Sequence, residues 1–275
     1  MAKIEIYQIY YSESTRTGLD PGFIPLDNLA NDRPDWREYW VFRRLLGGRP
    51  LDAETYYGVF SPKFLAKTGL PSSAVHALIE AQGENADVIG FSPYFEHMAF
   101  ALNIIEHAVM KHGNTETFIQ SAKIIAPEFR IDQAVMTSLN TIFCNFFVAK
   151  GRFWEEWLRN GERLFAIAED GLTALGQGLN DVVSYGAKIA PAKVFVMERL
   201  VSLLLWSQPQ WTVKSFNPVA LATAPATSPD FMVLDALKIA YTQTGAARYL
   251  DVFRLLREQM GTRAQMRTSV SHTAS

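Results

Sequence analysis

Two stretches of this chain share an uncommon arrangement of residues. Tyr56-Tyr57-Gly58-Val59-Phe60 runs into Ser61-Pro62-Lys63, and Asp87-Val88-Ile89-Gly90-Phe91 runs into Ser92-Pro93-Tyr94. Serine is a favoured helix N-cap and proline suits the first helical position, so each stretch reads as strand, sharp turn and helix. In an open α/β sheet such junctions lie at the carboxyl ends of the strands, where ligands bind. A helix start there presents free backbone N–H groups and partial positive charge, which is chemistry for phosphate. The spacing therefore predicts a pocket for an anionic small molecule, with both Ser-Pro turns at one edge of a mainly parallel sheet.

Three further groups of residues carry chemical potential. Glu198 falls in an apolar helical pattern from Ala192 to Trp206, on the side occupied by Val194, Val201 and Leu205. A carboxylate there is paired, or it is used, because burying it alone is costly. Asn145 is a polar side chain inside the aromatic run Phe143 to Val148, and a buried amide needs partners, either a neighbouring loop or a substrate hydroxyl. His97 and His107 sit ten residues apart in one predicted helix. At 100° per residue they diverge by about 80°, unlike the i, i+4 pairs that hold metals. His97 alone, one turn after Ser92-Pro93, is a candidate to face the pocket.

Composition bounds the rest. With 275 residues, 48% apolar and 20% charged, the chain has the makings of a globular protein with a large core. A net charge of −2 without basic runs argues against nucleic acid as the main partner. The single cysteine, Cys144, excludes an internal disulfide and a cysteine-cluster zinc site, and a reducing, cytoplasmic setting fits that usage. No targeting segment or transmembrane stretch is read, while the aromatic content leaves peripheral contact with the inner face of a membrane open. The chain lacks Gly-x-x-x-x-Gly-Lys-Ser/Thr, Gly-x-Gly-x-x-Gly and Gly-x-Ser-x-Gly, which sets aside several nucleotide-binding and hydrolase classes.

The elements that must position these residues follow from periodicity and punctuation. Strands are expected at 4–10, 56–60, 87–91 and 141–148. Asp35 is expected to cap a helix ending at Gly47-Gly48. Further helices are expected at 74–81, 93–111, 114–124, 131–140, 153–169, 192–207 and 230–260. The intervals 12–34 and 208–229 read as loops. The expected division is a catalytic domain over 1–225, a C-terminal helix over 226–262 and a mobile tail over 263–275.

Three segments in this order, Tyr56 to Phe64, Phe143 to Lys150 with Phe153-Trp154, and Phe195-Val196-Met197-Glu198-Arg199-Leu200, resemble bacterial glycosyltransferases of the GT-A type that build capsule and lipopolysaccharide glycans. The resemblance spans roughly residues 4–206. It implies an α/β, GT-A-like (Rossmann-like) sheet flanked by helices, with a helix-rich C-terminal half. It also implies transfer of a sugar from a nucleotide-sugar donor to an acceptor hydroxyl of a glycan. On that basis Tyr10, Tyr11, Ser12, Ser61, Lys63, Ser92 and Tyr94 are expected around the donor. Asn145, Lys150 and His97 are expected around the sugar or acceptor, and Glu198 is expected as the catalytic base. The chain departs from the family pattern in lacking Asp-x-Asp, so no cofactor and no bound divalent metal is expected; Lys63, Lys67, Lys150 and the Ser-Pro turns are expected to hold the diphosphate instead. The competing expectation is a non-catalytic nucleotide-sugar or glycan-binding protein with a degenerate pocket. Donor sugar, base, acceptor, stereochemistry and oligomeric state are not read from the sequence.

Overall fold

The computed structural model describes residues 3–82, 85–186, 188–223 and 227–273. Six strands form the main sheet: β1 Ile4–Tyr10, β2 Ile24–Asp27, β3 Tyr56–Phe60, β4 Val88–Gly90, β5 Phe147–Lys150 and β8 Val213–Ser215, in spatial order β2-β1-β3-β5-β4-β8. A separate hairpin pairs β6 Val182–Tyr185 with β7 Lys188–Pro191. In the main sheet β1 runs parallel to both β2 and β3, and β4 runs parallel to β8. Only β5 is reversed, lying antiparallel to β3 on one side and β4 on the other. The fold is thus α/β with a mixed sheet in which five strands share one direction.

The central strands are buried on both faces, which is why they read as continuous apolar runs. Residues alternate between two cores with the period of a strand. Ile9, Tyr57, Val59, Val88, Phe147 and Ala149 face a large core built with the helices Glu38–Leu46, Ile104–His112, Thr115–Ile125, Gly151–Asp170 and Leu200–Ser207. Ile6, Tyr56, Phe60, Ile89 and Val148 face a smaller one closed by Phe64, Val75 and Ile79 from Phe64–Thr68 and Ser72–Gln82. Gly58 is required where β3 meets β5, because a Cβ there would stand 2.6 Å from Val148 Cγ1.

Several expected elements are altered, each for a physical reason. The single helix over 93–111 is two helices, Phe95–Phe100 and Ile104–His112. Lys238, fully buried, donates its ammonium hydrogens to the carbonyls of Met98 and Ala101 and so ends the first. Asn103 caps the second, accepting from the backbone N–H of Ile105 and Glu106. No helix forms over 131–140, where turns tie to Asn103 through the carbonyls of Ile131 and Ala134. The expected strand over 141–148 begins only at Phe147. The helix over 192–207 is interrupted at Glu198-Arg199. There the Arg199 guanidinium donates to the Phe195 carbonyl, the acceptor that its own N–H would use in a continuous helix, and that N–H bonds Val196 instead. Asp35 does not cap a helix but pairs with Arg33 and Lys193, which hold its carboxyl down at about 2. β2 and β8 arise in intervals expected to be loops.

The C-terminal segment contains two helices, Pro229–Thr244 and Arg248–Thr273, separated at Gly245 in the left-handed region (φ 67°). Leu234, Leu250 and Phe253 pack them against Leu102 and Val135 in a third core. Of the expected tail 263–275, the helix backbone runs to Thr273 and the last two residues lie outside the described ones. Among the described residues no helix is long and apolar enough to cross a membrane.

Candidate functional site

Both Ser-Pro turns leave the same end of the sheet, with β5 between them. Neither serine caps a helix, which corrects the expected chemistry of these turns. The helix after Ser61 begins at Phe64 and the one after Ser92 begins at Phe95, and their N-cap positions are Lys63 and Tyr94. The Ser92 hydroxyl instead accepts the backbone N–H of Phe143 at 2.7 Å, in a fully packed setting. Ser92 thus anchors the segment that enters β5. Ser61 stays at the surface of a cleft that opens at this sheet edge.

The cleft has two chambers that share Glu38, Ser61, Lys67 and Glu198 at their divide. The outer chamber, about 390 Å³, is bounded by Tyr11, Asn28, Asn31, Arg37, Lys63 and Lys188. The inner chamber, about 370 Å³, is bounded by Tyr94, His97, His107, Phe143, Asn145 and Phe195, with Lys111, His112 and Arg199 also reaching it. The outer wall carries cations and amides, the inner wall rings.

Local backbone geometry aims the inner side chains. Cys144 and Asn145 are consecutive left-handed residues (φ 62° and 52°), a conformation that asparagine tolerates better than most and that bends the chain sharply before β5. The bend turns Asn145 into the chamber, so it belongs to a turn and not to a strand. The Cys144 thiol is driven up to about 11 by burial, so it is no nucleophile at neutral pH, and Lys67 Nζ lies 3.1 Å from its sulfur. The helix break at 101–103 has a larger effect: it folds His107 back onto His97, with ring centroids 5.0 Å apart. The divergence expected for one continuous helix does not hold. Tyr94 stacks on His97 at 5.5 Å, and Phe143 meets His107 edge-on at 4.8 Å.

Glu198 stands at the interruption of its helix and faces both chambers. Neither Glu198 nor Glu38 forms an ion pair among the described residues, and the same is true of Arg37 and Lys63. Burial pushes the Glu198 carboxyl up, opposed by the neighbouring Arg199 charge. His107 is pushed the other way, to about 2, by burial and then by the charge of Arg199, so its ring is neutral at physiological pH. His97 and His112 are also lowered by burial. Both ring nitrogens of His107 and Oδ1 of Asn145 are buried and meet no hydrogen-bond partner among the described residues. Such groups cost about 1–3 kcal/mol each when left unsatisfied.

These shifts set a pH dependence. Between the ordinary histidine value of 6.5 and about 2, the unfolded chain binds a proton on His107 that the folded chain does not. Stability therefore falls as pH drops below 6.5, by up to about 1.4 kcal/mol per pH unit for one such group. Glu198 acts with opposite sign: its raised carboxyl holds a proton in the folded state above the ordinary 4.5, and that contribution is lost as pH rises through its folded value. Urea unfolding of the wild type and of His107→Phe between pH 6.5 and 4.5 should show a shallower slope in the variant. Equal slopes would show that His107 titrates normally.

Of the residues expected from sequence, the cleft brings together Tyr11, Ser61, Lys63, Tyr94, His97, Asn145 and Glu198. The others lie elsewhere. Tyr10 is buried, with the Arg16 guanidinium over its ring. Ser12 caps the short helix Glu13–Thr17. Lys150 is opposite Tyr56 at the far end of the sheet, 2.8 Å from Glu54, and so takes no part in the cleft. Its placement follows from the reversal of β5. Sequence reasoning passed over Arg37 and Glu38, which look like ordinary polar residues at a helix start. It also passed over Lys188, and it weighed His107 only as one half of a metal-binding pair. No protein family, curated protein or solved structure matches the chain.

Proposed function

We propose that the protein is a glycosyltransferase that moves a sugar from a nucleotide-sugar donor to an acceptor hydroxyl, of the kind that assembles bacterial surface glycans, working at the cytoplasmic side of the membrane on a GT-A-like fold. The observation that carries this is Glu198: a carboxylate without an ion-pair partner among the described residues, placed where a cationic chamber meets an aromatic one. In a single displacement the acceptor oxygen forms a bond to the anomeric carbon, and the bond from that carbon to the diphosphate breaks. Glu198 takes the acceptor proton as this happens. A carboxyl whose affinity for protons is raised by burial is better matched to that task than an exposed one. The departing diphosphate gains negative charge, and Arg37, Lys63, Lys67 and Lys188 supply positive charge along the outer chamber.

This arrangement needs no divalent cation, because the lysines and arginine act as fixed counter-charges. Thermal shift against a panel of nucleotide-diphosphate sugars should show stabilisation that persists in EDTA, accompanied by slow donor hydrolysis without acceptor. Loss of binding on chelation would refute metal independence. Binding without any hydrolysis or transfer would favour the non-catalytic alternative.

A further inference from the structure

The geometry points to the inner chamber as a binding site for an uncharged polyhydroxylated ring, with His107 and Asn145 as the residues that read its hydroxyl groups. The inference rests on the proposed transfer in placing that ring beside Glu198, but its chemistry is argued from the chamber itself.

His107 is 8% exposed and Asn145 4%, yet His107 Nδ1, His107 Nε2 and Asn145 Oδ1 find no hydrogen-bond partner among the described residues. Buried polar groups are almost always satisfied, so three such atoms on two residues that line one cavity mark the place of a ligand that satisfies them. A neutral imidazole offers one donor and one acceptor, and the amide oxygen offers an acceptor. A hydroxyl group both donates and accepts, so adjacent hydroxyls on one ring complement this set, whereas a purely accepting or purely donating group does not. The walls suit the rest of such a ring. Tyr94 and Phe143 present aromatic surface on which the C–H face of a saturated ring can rest.

Charge separates neutral from acidic rings. His107 stays unprotonated because burial and the charges of Arg199 and Lys111 oppose its cation, and His97 beside it is lowered by the same burial. Arg199 already donates to the carbonyls of Phe195 and Ile104 and lies over the Phe118 ring. Lys111 is exposed at the rim, where solvent screens it. At the divide the carboxylates of Glu198 and Glu38 outnumber the one ammonium beside them, that of Lys67, and the balance repels a carboxylate. A uronate is therefore disfavoured relative to the matching neutral hexose.

The test is ligand-observed NMR titration of the full chain with methyl hexopyranosides and methyl glucuronide. The expected result is binding of at least one neutral glycoside, weaker binding of the glucuronide, and roughly ten-fold weaker binding of that neutral ligand in His107→Phe and in Asn145→Leu. His107→Gln, which keeps a donor and an acceptor, should recover part of the loss, and cooperative melting above the titration temperature establishes that the variants are folded. Displacement of the glycoside by a nucleotide hexose but not by the nucleotide alone assigns the ring to the donor. Displacement by neither assigns it to the acceptor. Absence of binding by every glycoside, preference for the glucuronide, or full affinity in both folded variants overturns the inference. Because the readout is binding, glycoside recognition without turnover would remove the proposed transfer and leave this inference standing, while turnover insensitive to His107 and Asn145 would do the reverse.

Discussion

Glu198→Gln is expected to lower turnover by roughly 10²–10⁴-fold, the usual worth of general-base assistance, while leaving donor affinity and the melting temperature close to those of the wild type. The stability half of this expectation comes from the geometry. Removing one partner of a buried ion pair costs about 3–5 kcal/mol because the other charge is left exposed to a low-dielectric interior. Glu198 has no such partner among the described residues, and Arg199, its sequence neighbour, is held by backbone carbonyls and an aromatic ring. The amide is close in shape to the carboxylate and removes the cost of burying a charge. Turnover and thermal unfolding measured on one preparation decide the matter. A large loss of stability would make Glu198 a structural residue, and a fully active variant would remove it from the mechanism.

Trp154→Ala is expected to destabilise the protein by roughly 3–5 kcal/mol, the range for truncating a large buried aromatic. For a chain of this size that corresponds to a fall in melting temperature on the order of 10 °C. The Trp154 side chain is fully buried in the helix Gly151–Asp170. It stacks on Phe147 at 4.6 Å, meets Trp157 edge-on at 5.3 Å, and donates its indole N–H to the Tyr57 carbonyl at 2.8 Å. It therefore joins β3, β5 and the long helix at once. Trp154→Phe keeps most of the ring surface but not the N–H, and should cost about 1–3 kcal/mol through the orphaned carbonyl. Calorimetry on the two variants checks the order; equal, small losses would mean that the core relaxes around the site.

The parts of this molecule that are legible in the sequence are those fixed by neighbours in the chain. The runs at 4–10, 56–60 and 87–91 carry their own strand pattern and their own stop signals, so their arrival at one sheet edge follows from local residues. Glu198 is legible because a lone carboxylate among Val, Leu and Phe is conspicuous. What stays hidden depends on distant partners. Nothing near residue 100 announces that Lys238 will take the carbonyls of Met98 and Ala101, and it is this contact that separates the two helices and lets His107 meet His97. The reversal of β5 is equally silent, because a strand buried on both faces reads the same in either direction. That reversal is why Asn145 reaches the cleft and Lys150 does not. Arg37 and Glu38 left no signal either; a helix start is an ordinary place for charge.

The reversed strand also makes the depth of the inner chamber a matter of length. In a wholly parallel sheet the middle strand would contribute its end to the cleft; here it contributes its beginning, and its other end is clamped. Arg152, just past that end, is paired with Asp87 and Glu54, and Gly151 packs so closely on the Asp52 carbonyl that a Cβ would lie 2.1 Å from it. β5 is thus a rod fixed at its far end, with the Cys144-Asn145 bend as its tip. Each added residue would advance the tip by about 3.3 Å, and only an even number keeps each side chain on its own face. Two more residues would drive the bend into the chamber, and two fewer would withdraw it by the same distance. Changing the number of residues in one short strand therefore resizes the site while leaving the walls built by the other elements in place.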